Sequence, residues 1–375
     1  MIPYGRQTIE DDDVASVAAA LHTEWLTQGP KVAEFEKALA DYCGVKHAVT
    51  VANGTAALQA AYFAAGLKPG DEIVTTTLTF AATASAAIWM GAKPIFADID
   101  DATGNLDPRA AEAALTPKTR AVVPVDFAGR PADMFAFRDL AKRKRLLLIS
   151  DACHSLGASL GGRKAGALAD MSCFSFHPVK SITTGEGGAV LTDDDALAKR
   201  LILFRQHGVT KRYPDWRYEI GELAQNFRLT DFQCALGLSQ LRKLDRFVAR
   251  RAEIAADYQK DLAGVDGLRL PLPAALGACA WHLYPVRVPA PVRAAVFADL
   301  RAAGIGVQVH YVPVHRHPLY KRLGYPSALC PKAELFSNEE ISLPIFPTLT
   351  ETDRAAVISA LKKSVAARAG AAARS

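Results

Sequence analysis

The chain has 375 residues, half of them hydrophobic and 22% charged, which is enough to bury a sizeable core and predicts roughly two to three domains. Its net charge is +5, but the basic residues are scattered and no nucleic-acid motif accompanies them, so we expect no nucleic-acid partner. No apolar run approaches the roughly 18 residues that would span a membrane.

The N-terminal residues and the cysteines indicate the cellular compartment of the protein. The first residues lack the basic start and apolar core of a signal peptide. The six cysteines form no C-x-x-C pair and mostly lie in apolar surroundings, as buried free thiols do in a reducing compartment. We therefore expect a cytoplasmic protein, and we predict no metal site.

Two helices are predicted before residue 45. Three consecutive acidic residues, 11–13, favour the start of the first helix, because carboxylates interact favourably with the positive end of the helix dipole. The stretch 26–30 predicts a break in the chain's helical pattern. Pro30 suits the first position of a second helix, and Gly44 suits its end.

Strand and helix patterns alternate from residue 46 to residue 192. The predicted strands cover 48–52, 72–76, 94–97, 121–125, 146–150, 170–176 and 188–191. The predicted helices cover 56–65, 81–90, 108–115 and 134–143. Such alternation predicts an α/β fold with a mostly parallel sheet covered on both faces, in which ligands bind beyond the carboxyl ends of the strands.

The last part of the chain predicts helices followed by a small α+β unit. Helices are predicted over 193–204 and, as one long element, over 231–258; the connection 205–228 is polar and aromatic-rich, and such long connections are usually functional. Beyond residue 268, the predicted elements are strands at 281–288 and 307–310, helices at 293–303 and 351–367, and a fraying tail at 366–375.

These patterns divide the chain into three parts. We predict an N-terminal segment (1–30), a large domain (31–245) and a small C-terminal domain with its linking helix (246–375).

The residues between the two central strands, 173–188, contain one lysine, Lys180, with apolar neighbours. Burial lowers the pKa of a lysine and increases the fraction of free amine, the form that attacks carbonyl groups such as the aldehyde of pyridoxal phosphate. A lone lysine in a loop more often lies on the surface. Here Ser175 can donate to a phosphate and nearby glycines permit close backbone approach, which favours the chemical interpretation.

Two other strand ends carry residues suited to a phosphorylated ring. Gly54, Thr55 and Ala56 open a helix, where backbone N–H groups bind phosphate, although Asn and Thr at such positions are more often plain caps. Asp151 follows a strand and can keep a pyridine nitrogen protonated, and His154 comes three residues later. A helix N-cap explains this aspartate equally well.

Further candidates are weaker one by one. Phe80 can stack on a flat ring, but phenylalanine is more often part of the core. Asn226 can reach a phosphate and Arg228 an anion. His310 and Tyr311 end a predicted strand and can line a substrate pocket.

Taken together, these strings resemble the DegT/DnrJ/EryC1/StrS family of sugar-nucleotide aminotransferases, a branch of the fold-type I enzymes that use pyridoxal phosphate. The resemblance runs from Pro3 to about Pro347. The matching strings are 26–30, 53–58, 151–157, 175–180, 185–188, 226–229 and 309–311. It implies a large domain built on a mostly parallel sheet and a small α+β C-terminal domain.

The resemblance also implies a role for each matching residue. Lys180 matches the lysine that is joined to the cofactor and transfers protons, Asp151 the partner of the pyridine nitrogen, and Phe80 the ring-stacking aromatic. The other matches are the phosphate-binding Gly54, Thr55, Ala56 and Ser175, the cofactor neighbour His154, and the substrate-binding Thr27, Arg228, His310 and Tyr311. Asn226 matches a residue that reaches the phosphate from the other subunit, which implies a homodimer with its active site at the interface.

Within the family, the strings 176–184, 204–208 and 235–241 are most similar to the transaminases of pseudaminic acid biosynthesis. That likeness implies amino transfer from L-glutamate to a UDP-4-keto-6-deoxy-N-acetylhexosamine, which gives UDP-4-amino-4,6-dideoxy-N-acetyl-β-L-altrosamine, with pyridoxamine phosphate as the half-reaction form. The family's 3-dehydratases carry histidine in place of the lysine, so Lys180 argues against dehydration.

Other functions stay open at this point. Relatives that act at C4 of the D-gluco epimer, or at C3 of another nucleotide sugar, share most of these strings. A cysteine desulfurase or γ-lyase needs a reactive cysteine in an exposed loop, whereas Cys153 and Cys173 lie in apolar strings. A non-catalytic sensor on the same fold would need a partner module, and a plain α/β binding protein would take up no cofactor.

Overall fold

The structure, a computed structural model, describes the backbone of residues 1–372 and the side-chain surroundings through residue 368. The predicted fraying tail, 366–375, is helical as far as Ala372, and its last three residues lie outside the described residues.

The α-helices, in chain order, are α1 (Asp11–Leu21), α2 (Pro30–Cys43), α3 (Gly54–Ala64), α4 (Ala82–Trp89), α5 (Pro108–Ala113), α6 (Met134–Lys144), α7 (Asp195–Arg205), α8 (Asp231–Leu241), α9 (Leu244–Leu262), α10 (Ala290–Ala302), α11 (Pro318–Arg322), α12 (Pro331–Glu339) and α13 (Glu351–Ala372). The strands are β1 (His47–Val51), β2 (Glu72–Thr76), β3 (Lys93–Ala97), β4 (Thr119–Val123), β5 (Leu147–Asp151), β6 (Ser159–Leu160), β7 (Arg163–Lys164), β8 (Met171–Ser175), β9 (Gly188–Thr192), β10 (Val209–Arg212), β11 (Tyr218–Ile220), β12 (Tyr284–Arg287) and β13 (Glu340–Leu343).

A seven-stranded sheet in the order β1-β9-β8-β5-β4-β2-β3 forms the centre of the molecule. The pairs from β8 to β3 are parallel, and β9 is antiparallel to both of its neighbours. Gly188 pairs with Ser175 on one side and with Val51 on the other, so β1 runs in the same direction as β8. The carboxyl ends of β1, β5 and β8 therefore meet at one edge, and the predicted mostly parallel α/β fold is confirmed.

Local sequence explains how the helices that cover this sheet begin, end and pack. Pro30 occupies the first turn of α2, and Gly44 ends that helix in the left-handed region with φ 70°. Asn53 caps α3 by accepting the Ala56 N–H at 2.8 Å. The buried face of α3 is built largely of alanines, and such small side chains let the helix lie close to β8 and β9.

The C-terminal elements have an apolar core of their own. It combines the second half of α9, both strands of the β12–β13 pair, and residues of α10 and α13. The fully buried Arg251 of α9 donates from Nη1 to Ile345 O at 2.7 Å, so a cation joins two parts of this unit. The division of the chain after residues 30 and 245 stays a prediction.

Three predictions about elements were wrong. The helix expected over 231–258 is two helices, α8 and α9, with a break near Lys243 that no glycine or proline signals in the sequence. The connection 205–228 contains a short exposed hairpin, β10–β11, which has too few residues to show a periodicity. The strand expected at 307–310 is reduced to an isolated bridge from Gln308 to Ser342, and the partner of β12 is β13, a four-residue strand that the sequence did not reveal.

Within residues 1–372, we find no helix with both the length and the apolar character that a membrane crossing requires.

Lys243 holds the N-terminal helix α1 against α8. Its ammonium lies 2.9 Å from the fully buried carboxylate of Asp13 and 3.2 Å from that of Glu10, and it also pairs with Asp12. Gln240 Nε2 donates to the same Asp13 oxygen at 2.7 Å. The ion pair therefore fixes both the start of α1 and the turn between α8 and α9.

We predict that Lys243→Met lowers the free energy of unfolding by about 2–3 kcal/mol, because the buried Asp13 carboxylate would lose its ion-pair partner while keeping hydrogen bonds. Denaturant unfolding of the full chain measures the change. The control is Lys37→Met, which removes an exposed ion pair with Asp41 and should change stability by less than about 0.5 kcal/mol. Equal effects of the two substitutions would contradict the assignment.

Candidate active site

A cavity of about 500 Å³ opens at the edge where β1, β5 and β8 end. The residues that line it come from both halves of the chain. They are Tyr4, Asn53, Gly54, Thr55, Leu58, Thr79, Phe80, Ala82, Val125, Asp151, Cys153, His154, Ser175, His177, Val179, Lys180, Glu186, His282, His310 and Tyr311. The structure thus brings most of the predicted site residues into one pocket.

Lys180 lies in the connection from β8 to β9, and its side chain is half-buried against the cavity. Its Nζ lies 3.5 Å from His282 Nε2. Burial lowers the pKa of Lys180, and the nearby Cys153 and Asp151 oppose that shift without reversing it. The amine is therefore deprotonated at lower pH than an exposed lysine, which increases its nucleophilic fraction.

Asp151 is the last residue of β5, and the residue is 6% exposed. Oδ2 accepts the Thr83 hydroxyl at 2.6 Å and Oδ1 accepts the Cys153 N–H at 3.3 Å. Within the described residues, no lysine, arginine or histidine forms an ion pair with this carboxylate. A buried carboxylate held by neutral donors suits a ligand that brings a cationic N–H.

The start of α3 faces Ser175 at the end of β8. A Cβ atom on Gly54 would lie 2.8 Å from Ser175 Cβ, so this close approach requires glycine. The Ala56 N–H already donates to Asn53, which leaves the N–H groups of Gly54 and Thr55 in the first turn of α3 for an anion. Together with the Ser175 hydroxyl, they form a set of donors suited to phosphate.

Aromatic rings and neutral histidines form the opposite wall. Phe80 is 61% exposed, and its ring lies 6.3 Å from that of Tyr311. Tyr311 Oη and His154 Nε2 are 3.0 Å apart, and the rings of His154 and His282 are 4.3 Å apart. Burial is the main cause that holds the pKa of both histidines well below the usual range, and the positive charge of Lys180 adds to it. Both rings therefore remain neutral at physiological pH.

Four predicted residues, Thr27, Ala56, Asn226 and Arg228, are not among those that line the cavity. Ala56 is buried in α3, and its N–H donates to Asn53. Thr27 and Asn226 are exposed, and Arg228 is half-buried. Thr27 bridges to Thr230, and Asn226 bridges to Gln206, both through backbone pairing. The assignment of these four residues to substrate or cofactor therefore stays a prediction, and for Asn226 that prediction invoked a second subunit.

Sequence reasoning missed several residues that the structure adds to the pocket. Tyr4 and His282 line it, from the N-terminal segment and from the start of the small α+β unit respectively. Thr83 lies behind it and fixes Asp151. Single residues of these types carry no pattern in a sequence, because only the folded chain shows what they contact.

Comparison with known proteins identifies the family. A sequence profile of the DegT/DnrJ/EryC1/StrS aminotransferase family matches residues 7–362. This chain belongs to that family. The prediction of an aminotransferase is thereby confirmed.

Individual relatives cover nearly the whole chain. The spore coat polysaccharide biosynthesis protein SpsC of Bacillus subtilis is 40% identical over 97% of both chains. The UDP-4-amino-4,6-dideoxy-N-acetyl-beta-L-altrosamine transaminase of Campylobacter jejuni is 41% identical over 92% of both chains. Helicobacter pylori PseC, an aminotransferase involved in the biosynthesis of pseudoaminic acid, has a TM-score of 0.93 and 33% identity, with 98% of this chain and 99% of that chain covered.

A sugar aminotransferase of Streptococcus pneumoniae bears on the cofactor. It was solved in a PLP-form, and it matches with a TM-score of 0.93 and 29% identity over 98% of this chain and 99% of that chain. This agrees with the pyridoxal phosphate cofactor that the sequence predicted.

A second buried acid, Asp126, lies behind Asp151 and donates its N–H to Asp151 O at 3.1 Å. Its carboxyl accepts the Ser155 hydroxyl at 2.5 Å and the Ala132 N–H at 3.0 Å. Burial raises the pKa of Asp126 to about 7, although both hydrogen bonds oppose the shift. The folded state therefore keeps a proton that the unfolded state loses near its ordinary pKa of 3.8, and stability falls as pH rises through this window.

We predict that Asp126→Asn makes stability less dependent on pH between about 4 and 7. The substitution keeps the shape: the amide oxygen accepts the Ala132 N–H, and the amide NH2 donates to Ser155 Oγ, whose hydroxyl then donates to Ala152 O. The full effect across this window is at most about 4 kcal/mol, at about 1.4 kcal/mol per pKa unit. Denaturant unfolding at pH 4.5 and pH 7 measures it. The exposed Asp41→Asn is the control, and an unchanged pH slope in Asp126→Asn would show that this carboxyl ionises normally in the fold.

Proposed function

We propose that this aminotransferase uses pyridoxal phosphate to transfer the amino group of L-glutamate to C4 of a UDP-4-keto-6-deoxy-N-acetylhexosamine. The proposed product is the L-altrosamine-type sugar of pseudaminic acid biosynthesis, and the proposed location is the cytoplasm. The observation that carries the proposal is one cavity holding a lysine of lowered pKa together with a buried carboxylate held by neutral donors.

The donor groups of the cavity fit pyridoxal phosphate at each end. The Gly54 and Thr55 N–H groups and the Ser175 hydroxyl would hold the phosphate, and Asp151 would accept a hydrogen bond from the pyridine nitrogen. The uncharged imidazole of His154 and the ring of Phe80 offer flat surfaces for an aromatic ligand. His154 Nδ1 is buried without a hydrogen-bond partner among the described residues, which leaves one donor or acceptor for a ligand.

The chemistry divides between the cofactor and the chain. When bound, pyridoxal phosphate supplies an electron-accepting ring that stabilises negative charge on the carbon losing a proton. Asp151 would stabilise a positive charge on the ring nitrogen, because its buried carboxylate forms no ion pair with any described residue. Burial lowers the pKa of Lys180, which increases its uncharged fraction, and in that form Nζ can take up the proton and return it on the same side of the cavity.

The choice of sugar rests on relatives and on the strings 176–184, 204–208 and 235–241. The Campylobacter jejuni relative is named for the β-L-altrosamine product, and PseC for the pseudoaminic acid pathway. The equally similar SpsC is named for spore coat polysaccharide, so the alternative is amination of the D-gluco epimer at C4 or of another nucleotide sugar at C3. A non-catalytic sensor is disfavoured by the half-buried amine of Lys180, whose pKa is lowered at the cavity.

Absorbance of the cofactor-loaded chain tests the function. We predict a yellow band with pyridoxal phosphate that bleaches with L-glutamate and returns with the L-altro-forming UDP-4-keto sugar, because the two half-reactions run in opposite directions. If the band returns only with the D-gluco epimer, the aminotransferase activity stands and the proposed sugar substrate is wrong. A band that does not respond to glutamate would overturn the donor.

Matched lysine variants serve as controls for this test. Lys180→Ala should lose the band and reduce turnover by at least about 10³-fold, since the nucleophile and the proton-transfer group are one residue. Lys199→Ala, on the exposed face of α7, should keep both. Multiple turnovers by Lys180→Ala would contradict the proposed role of Lys180 as nucleophile and proton-transfer group.

We further propose a homodimer in which Asn226 completes the partner's site. In one chain Asn226 is exposed and does not line the cavity, while Phe80 at the cavity is 61% exposed, which is consistent with a second subunit covering this side. Arg228, two residues later, is proposed to bind the anionic substrate.

Mixing inactive variants tests this arrangement. Lys180→Ala and Asn226→Ala homodimers should each be impaired, whereas hybrids of the two should regain up to roughly a quarter of wild-type activity after subunit exchange, because one of the two sites then holds both intact residues. Mixtures that stay as inactive as their parents after exchange would place Asn226 and Lys180 in sites of the same chain, or outside the site.

A further inference from the structure

His310, at the cavity, is backed by a buried chain of hydrogen bonds. Its Nδ1 lies 2.8 Å from Ser342 Oγ, and that hydroxyl lies 2.5 Å from Glu340 Oε1. The other carboxyl oxygen, Oε2, accepts the backbone N–H of His310 at 2.7 Å. Ser342 and Glu340 are fully buried on β13, so solvent does not reach the Glu340 end of this hydrogen-bonded series.

Glu340 is a buried acid without an ion-pair partner in the described part of the chain. Arg287, opposite it on β12, directs its guanidinium to Asp101 and Glu339 instead. Arg293 influences Glu340 only at a distance. A carboxyl in this position is costly to bury, and its two hydrogen bonds both lead to His310.

The available hydrogens allow two arrangements of the hydrogen bonds among His310, Ser342 and Glu340. With Glu340 ionised, the carboxylate only accepts, so Ser342 donates to it, His310 Nδ1–H donates to Ser342, and Nε2 carries no proton. With Glu340 protonated, Oε1–H donates to Ser342, Ser342 donates to Nδ1, and the ring proton sits on Nε2. Each hydrogen shifts one place between the states, and the proton that leaves departs from Nε2.

We propose that Glu340, acting through Ser342, sets the tautomer of His310 and thereby decides whether Nε2 donates or accepts a hydrogen bond in the cavity. Glu340 is then a positioning residue for the proposed reaction, since it touches neither cofactor nor substrate itself. The inference rests on the proposed function only in that His310 borders the same cavity. The ligand that Nε2 would meet is an oxygen of the sugar or amino-acid substrate.

Charges and burial place the change within the working pH range. Burial raises the pKa of Glu340 to about 8, opposed by its hydrogen bonds from Ser342 and His310. Burial lowers the pKa of His310 to about 3, so its ring stays neutral throughout. Nε2 therefore carries the proton and donates below about pH 8, and it accepts above. The titratable groups around His310 and Glu340 are Lys180, His154, His282, Tyr4, Tyr311, Glu339, Arg287 and Arg293.

Nitrogen NMR of the full chain, labelled with ¹⁵N-histidine and loaded with pyridoxal phosphate, reads the tautomer directly. We expect the protonated and unprotonated nitrogen signals of His310 to exchange places with a midpoint near pH 8. His310→Asn, which removes these signals, assigns them. The same titration without cofactor leaves the measurement interpretable even if the proposed function fails.

Glu340→Gln is the deciding variant. The glutamine oxygen accepts the backbone N–H of His310, so the glutamine amide nitrogen donates to Ser342 Oγ. The Ser342 hydroxyl then donates to His310 Nδ1, and the His310 ring should keep its proton on Nε2 at every pH. Glu339→Gln, at the adjacent position, is the matched control and should show the wild-type exchange. Exchange near pH 8 in Glu340→Gln, or none in the wild type, would overturn the proposal.

Ser342→Ala provides a second route if Glu340→Gln does not fold. It removes the link and leaves the carboxyl, so the midpoint near pH 8 should vanish from the His310 signals. A retained midpoint would mean that the carboxyl acts on His310 by another path, and the proposed relay would be wrong.

Discussion

The common direction of the central strands is the constraint on which the site depends. Because β1, β5 and β8 all end at one edge, residues far apart in sequence reach the same cavity at the points where the backbone leaves the sheet. Gly54, Asp151 and Ser175 lie there, each directly at or after its strand. The antiparallel β9 then returns the chain, and the connection before it holds Lys180.

Burial gives these residues their chemistry. Within the described residues, the cavity contains the Asp151 carboxylate, which forms no ion pair, the Lys180 amine, whose pKa is lowered, and the neutral histidines His154 and His282. In a water-filled cleft the same lysine would keep its ordinary pKa, and the aspartate would be solvated. Burial thus favours the nucleophilic form of Lys180, and it leaves Asp151 suited to the cationic ring that we propose.

The C-terminal part of the chain supplies the other wall. His282, His310 and Tyr311 approach from the small α+β unit, where the β12–β13 pair holds Glu340 and Ser342 behind His310. A core of its own supports this wall, so the positions of its polar groups are set by packing outside the cavity. Two buried acids, Asp126 and Glu340, sit one behind each wall, and neither contacts the cavity directly.

The sequence by itself determined the α/β alternation, the family and the strand-end residues, because strand and helix periods are local and Asp151, Ser175 and Lys180 stand in recognisable strings. It could not determine the break between α8 and α9 near Lys243, nor the ion pairs that Lys243 forms there with acids distant in sequence. Nor could it find His282, Thr83 or the Glu340–Ser342–His310 chain. Contacts between residues far apart in sequence, and the burial that shifts their pKa values, exist only once the chain is folded, so tertiary structure alone decided them.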